Sequence, residues 1–250
     1  MKYTQRAVFV FLGILFIFFY IYNENAKNTP LVIHPTGGLS NRLRVLFSYY
    51  KEASKHNKNM IVVWTRDSEC DGLFLEYFRP IRNVTFVENT DYNIDYKGYN
   101  IHPNYNEHTE CIYKYLVMQP WLKEDIAQKR MHMGNYIATH IRRTDHSALA
   151  KKANMYTTDD DFINFLDASS ENIYIATDNK QTYDLFKQKY GDRILHSYPD
   201  AIQENALRIT NLKESIIDLY MCVYANQFKG SGYSSFSDLI YVLRRCIRGL

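Results

Sequence analysis

The chain has 250 residues, 46% hydrophobic and 23% charged, with a formal net charge of +3. This composition excludes a disordered chain and leaves room for one large domain or two small ones. The weak positive charge, with no long basic stripe, excludes a general nucleic-acid binder, so any cationic site must be local.

The N-terminus opens with Lys2 and Arg6, followed by an unbroken apolar run, residues 7–22 (AVFVFLGILFIFFYIY). A cleavable signal peptide ends on small residues, whereas this run ends on bulky aromatics. It is somewhat shorter than the about 20 residues of a typical spanning helix and suits a thin membrane. Positive charge ahead of it favours a cytoplasmic N-terminus. The expectation is a type II signal anchor over residues 1–22 and a polar linker over 23–29, in a single-pass protein of a Golgi- or ER-like membrane. The sequon Asn83-Val84-Thr85 fits a lumenal domain.

Leu31–Pro35 reads as a buried strand, Gly37-Gly38 as a break, and the segment from Asn41 as a helix with Leu43, Leu46, Phe47, Tyr50 and Ala53 on one face. Met60–Trp64 is a second buried strand, so the order is βαβ and the sheet is parallel. Gly72–Phe78 reads as a short helix and VTFVE as a third strand. Residues 89–111, rich in Tyr, Asn and Asp without periodicity, read as loops and acceptor-facing surface. Pro120 opens a helix.

The second half repeats the alternation. Residues 135–141 (NYIATHI) read as a strand, followed by a helix capped at Thr158 or Asp159. A further strand (NIYIATD) precedes a helix closed by Gly191. A helix spans roughly 211–226. QFKGS is a short strand, and GYSSFSDLIYVLRR leads into the final helix. The four cysteines, Cys70, Cys111, Cys222 and Cys246, form no CxxC pair, which argues against zinc; they read as free or incidental thiols. The expected architecture is two α/β halves facing a cleft, residues 30–130 and 131–250, with the site at strand C-termini.

Three stretches carry chemistry. In HPTGGLSNRLR, Gly37 and Gly38 let backbone approach a ligand, and Asn41 and Arg42 lie where a helix start offers free N–H groups. No Gly-Lys-Ser/Thr follows, so this is not a P-loop; the alternative is a plain βα turn. In HIRRTDHS, Arg142 and Arg143 end a strand and face opposite ways, one toward a ligand and one toward the scaffold. A guanidinium fork suits phosphate, and the alternative is a solvated strand end. In KGSGYSSFSDL, serine hydroxyls and helix-start N–H groups suit a diphosphate; the alternative is a simple serine cap.

Together these stretches resemble one family. HIRRTD is similar to the H-x-R-R-x-D motif of alpha-1,2-, alpha-1,6- and O-fucosyltransferases. GGLSNRL resembles the G-G-L-G-N-Q-L turn of the alpha-1,2 enzymes. YIATDN resembles their third conserved strand, and SSFS their C-terminal motif. Order and spacing agree from about residue 31 to 245.

The resemblance implies a GT-B fold, a GDP-fucose donor and an inverting transfer to a glycan hydroxyl, with no cofactor and no metal. It implies that Arg142 meets the β-phosphate of the leaving GDP and that Arg143 is a structural or second donor contact. His140, Asp178, Asp218, Ser234 and Ser235 would complete the donor site. Asp145 joins Arg142 as a catalytic candidate, and His146 is a candidate base with a suitable pKa. Ser40-Asn41-Arg42 departs from Gly-Asn-Gln, and His146 and Ala150 stand where alpha-1,6 enzymes carry lysine and glutamate. Two rivals are a transferase of the same build with another nucleotide sugar, and a non-catalytic glycan or nucleotide binder.

Overall fold

The computed structural model describes residues 29–107, 109, 111–143, 147–198 and 211–249. The apolar run 7–22, Asp145 and His146 lie outside the described residues. Among the described residues, no helix is long and apolar enough to cross a membrane.

The chain builds two parallel sheets. In the first, β1 (Leu31–Pro35), β2 (Met60–Val63), β3 (Val84–Val87) and β4 (Tyr96–Gly98) lie in the order β3-β2-β1-β4. β1 and β2 are joined through α1 (Leu39–Lys55), whose apolar face packs on both strands. The short α2 (Phe74–Tyr77) follows β2, and α3 (Pro120–Met133), opened by its proline, leads to the second half.

In the second sheet, β5 (Tyr136–Ile141), β6 (Asn172–Thr177) and β7 (Phe228–Gly230) lie in the order β6-β5-β7, all parallel. Its helices are α4 (Ser147–Lys152), α5 (Asp159–Asp167), α6 (Lys180–Tyr190), α7 (Leu212–Tyr224) and α8 (Ser235–Arg248). Side-chain alternation divides β5 between two cores. Ile137 and Ile141 pack with Phe162, Leu166 and Phe186 on one face. Tyr136 and Ala138 join the larger core on the other, which runs through α7 and α8 into the first half.

That larger core is continuous across residues 130 and 131, because α8 packs against α1 as well as α7. Two corrections to the sequence reading follow. Residues 89–111 contain β4, which pairs His34 with Lys97 in parallel register. Three residues are too few to show a period. The thiols are not all free either: Cys111 and Cys246 form a disulfide with Cα atoms 5.5 Å apart, while Cys70 and Cys222 are buried free thiols. Pairing across 135 positions is set by α8 returning to the first half, and no local spacing signals it.

Candidate active site

A cleft of about 770 Å³ opens between the halves. Strand C-termini and two helix N-termini line it, where ligands of open α/β sheets bind. On the first side, β1 leaves the sheet, turns at Gly37 and enters α1. Gly37 has φ +83°, and a Cβ there would meet Asn41 Nδ2 at 2.8 Å, so glycine is required twice over. The turn brings Gly38, Leu39, Ser40 and Asn41 to the cleft wall. α1 has no side-chain cap, leaving its first N–H groups available to an anion.

Arg42 is part of this turn but faces away from the cleft. It is fully buried and donates to Gly37 O (2.7 Å), Thr65 O (2.6 Å) and Asp67 Oδ2 (2.5 Å). It ties the glycine turn to the exit of β2. Arg44, which the motifs did not flag, lines the cleft instead. Glu107 holds it in a fork at 2.6–3.0 Å. Its signal was present in the sequence, since Ser40 and Asn41 lie four and three residues before it on one helix face.

On the second side, alternation continues past the end of β5. His140 points to the α8 face, where its Nδ1 lies 2.8 Å from Ser237 Oγ and its ring packs on Phe236. Burial pulls the imidazole pKa down to about 4; the Arg142 charge adds to this and Asp178 opposes it. His140 is therefore neutral at pH 7. Arg142 follows on the same face and lines the cleft. Its Nη1 pairs with Asp178 Oδ2 at 2.6 Å, and its backbone N–H donates to Ser231 Oγ at 2.9 Å.

Arg143 turns the other way. It donates to Thr157 O at 3.0 Å and to Asp159 Oδ1 at 2.5 Å, and lies over the rings of Tyr156 and Phe162. The acidic start of α5 is thereby occupied: Asp159 holds Arg143, and Asp161 forms the capping box with Thr158. Among the described residues, no three His, Cys, Asp or Glu side chains gather as metal ligands would.

The N-terminus of α8 completes the far wall. Ser234 caps it by accepting from Ser237 N, and Ser235 Oγ lies 3.1 Å from Ser40 Oγ, so two helix N-termini converge on the cleft. The approach is tight. A Cβ on Gly232 would sit 2.0 Å from Met155 O, and Tyr233 holds φ +57°, a strained value for a bulky residue. Asp218 reaches the cleft from α7 and accepts from the Tyr174 hydroxyl at 2.7 Å. Burial raises its pKa to about 7; the Tyr174 bond and Lys129 oppose the rise and Glu214 adds to it. The cleft thus gathers Gly38, Asn41, His140, Arg142, Asp178, Asp218, Ser234 and Ser235, and leaves Arg42 and Arg143 as scaffold.

No protein-family model matches the sequence, and no curated protein matches it either. Solved structures do. The NodZ alpha-1,6-fucosyltransferase soaked with GDP-fucose aligns with a TM-score of 0.59 at 14% identity, covering 86% of this chain and 93% of that one. Fucosyltransferase NodZ from Bradyrhizobium aligns at a TM-score of 0.59 and 13% identity, covering 86% of this chain and 94% of that one. POFUT1 in complex with GDP-fucose aligns with a TM-score of 0.64 at 8% identity, covering 88% and 95%. The chain has the fold of solved fucosyltransferases. The two parallel-sheet α/β halves fit a GT-B-like fold.

Proposed function

We propose that this chain is an inverting fucosyltransferase that moves fucose from GDP-fucose to a hydroxyl of a glycan acceptor, without a metal ion. The observation that carries this reading is Arg142, held by Asp178 at the end of β5 and aimed into a cleft where two helix N-termini meet. A leaving diphosphate needs such a cationic and N–H-rich surround. The fold shared with enzymes solved with GDP-fucose supports the choice of donor.

In this mechanism the halves divide the work, residues 30–130 on the acceptor side and 131–250 on the donor side. The acceptor hydroxyl attacks the anomeric carbon of fucose from the face opposite GDP, and the glycosidic C–O bond to GDP breaks. Arg142 and the N–H groups of α1 and α8 take up the charge developing on the β-phosphate oxygen. Neutral His140 and Asp218 hold the nucleotide by hydrogen bonds. Arg143 fixes the strand end that presents Arg142. His146 receives the acceptor proton, and Asp145 is the further catalytic residue of this segment. Residues 7–22 anchor the protein as a single-pass type II membrane protein, with the catalytic domain in a Golgi- or ER-like lumen. The Cys111–Cys246 disulfide and the exposed Asn83 sequon are in keeping with an oxidising compartment.

Thermal-shift binding on residues 24–250 tests the donor. GDP and GDP-fucose should raise the melting temperature, and UDP should not. A preference for UDP would point to another nucleotide sugar, and binding of GDP-fucose without turnover to a non-catalytic relative. Transfer should persist in EDTA; its loss, restored by a divalent ion, would overturn the metal-free mechanism.

A further inference from the structure

The first-half wall of the cleft carries a side chain that the donor reading does not use. Tyr99 lines the cleft and is 64% exposed, although it sits on a turn whose backbone is tied down on both sides. Gly98 O accepts from Thr36 N at 2.9 Å, and Asn100 N donates to the Tyr96 hydroxyl at 2.7 Å. Tyr96 is itself stacked on Tyr49, with ring centroids 4.7 Å apart. Gly98 has φ +153°, and a Cβ there would meet the Tyr96 hydroxyl at 2.8 Å, so the turn accepts little else. A large aromatic is therefore held open to solvent at low conformational cost, as pre-organised binding surfaces require.

The surroundings specify a chemistry. Asn100 follows Tyr99 on the turn after β4 and lines the cleft with it, while Glu69 and Asp71 line the same cleft from the segment that follows β2. An aromatic face next to an amide, in a cleft that also holds carboxylates, matches a pyranose ring, which offers a C–H face for stacking and hydroxyl donors at its edge.

We infer that Tyr99 is the acceptor platform: the sugar that receives fucose stacks on its ring while its hydroxyls bond to Asn100. This inference rests on the proposed transfer from GDP-fucose to a glycan, and it names a residue that selects the acceptor.

The test compares the full chain with its Tyr99→Ala and Tyr99→Phe variants. Three readouts are needed: the Kd for GDP-fucose, hydrolysis of GDP-fucose in water, and transfer of labelled fucose to lactose, cellobiose, N,N′-diacetylchitobiose and a Ser/Thr-rich peptide. The expected result is transfer to at least one disaccharide. Tyr99→Ala should raise KM for that sugar about tenfold or more, leaving the donor Kd and hydrolysis unchanged, while Tyr99→Phe should keep KM within about twofold. An unchanged KM in Tyr99→Ala, a donor Kd that moves with it, or transfer to the peptide and to none of the sugars would overturn the platform alone. Failure of the wild type to bind GDP-fucose would overturn the proposed function and the platform with it.

Discussion

Asp178 serves both arginines of the strand end at once. Its Oδ2 receives the Arg142 guanidinium at 2.6 Å and its Oδ1 the backbone N–H of Arg143 at 3.1 Å. One carboxylate thus sets both the direction of the cleft-facing side chain and the path of the chain behind it. Arg142→Ala should lower kcat by about 10²–10³-fold with the circular dichroism spectrum intact. Asp178→Asn keeps the shape but removes the charge that holds Arg142, and should weaken GDP-fucose binding less than Arg142→Ala does. Steady-state kinetics with circular dichroism checks the first, and calorimetry with GDP-fucose on both variants checks the second.

The neighbouring arginines should behave differently. Arg143→Ala removes the hydrogen bonds to Thr157 and Asp159, a longer one to Arg142 O, and packing on Phe162 from a largely buried side chain. It should cost about 2 kcal/mol of stability and act on kcat only through the strand end. Arg42→Ala leaves the carbonyls of Gly37 and Thr65 without their donor inside the protein. Its expected cost is larger, about 3–5 kcal/mol. Urea denaturation resolves the two, and wild-type stability in Arg42→Ala would remove its scaffold role.

Among the described residues, three strongly shifted groups dominate the expected pH profile of stability, and His34, lowered by burial, acts in the same sense as the two buried histidines. Burial lowers His140 and His196 to about 4 from 6.5, so between those values the unfolded chain binds protons that the native state refuses. Stability is therefore lost as pH falls through that window. Asp218 works in the opposite sense. Its native pKa of about 7 exceeds the ordinary 3.8, so stability falls as pH rises between them. Below about pH 7 the two histidines of the unfolded chain bind more protons than native Asp218 holds, and above it the two effects nearly cancel. The melting temperature should therefore rise from about pH 4 to a broad maximum near pH 7. Asp218→Asn should steepen that rise, and a melting curve at each pH would show it.

The disulfide gives a fourth expectation. Cys111 and Cys246 close a loop of 135 residues. Breaking it with Cys111→Ser plus Cys246→Ser should cost about 4 kcal/mol, or roughly 10 °C in Tm. Addition of reductant to the wild type should produce the same drop, and should leave the double variant unmoved.

Much of this was legible because the relevant signals are local. Apolar runs mark β1, β2, β5 and β6, and Thr158, Asn179 and Ser234 cap helices where their types favour it. What escaped the sequence is set by tertiary contacts. β4 exists because Lys97 lies beside His34, and its own three residues have no pattern. Arg42 and Arg44 differ by half a turn of helix, which sends one into the scaffold and the other to the cleft. Before the fold is known, both are arginines near a glycine turn. The Cys111–Cys246 pair needed the path of α8, and Tyr99 needed the turn that exposes it.

That path of α8 has a consequence for how the protein is made. The helix supplies Ser235 to Ser40, packs against α1 and brings Cys246 to Cys111. A ribosome delivers it long after the first sheet has emerged. Until then the surface of α1 that α8 will cover is bare, and Cys111 awaits a thiol still to be synthesised. The first half cannot mature as a separate unit during translation, so its exposed apolar face is the natural place for a chaperone to hold the nascent chain.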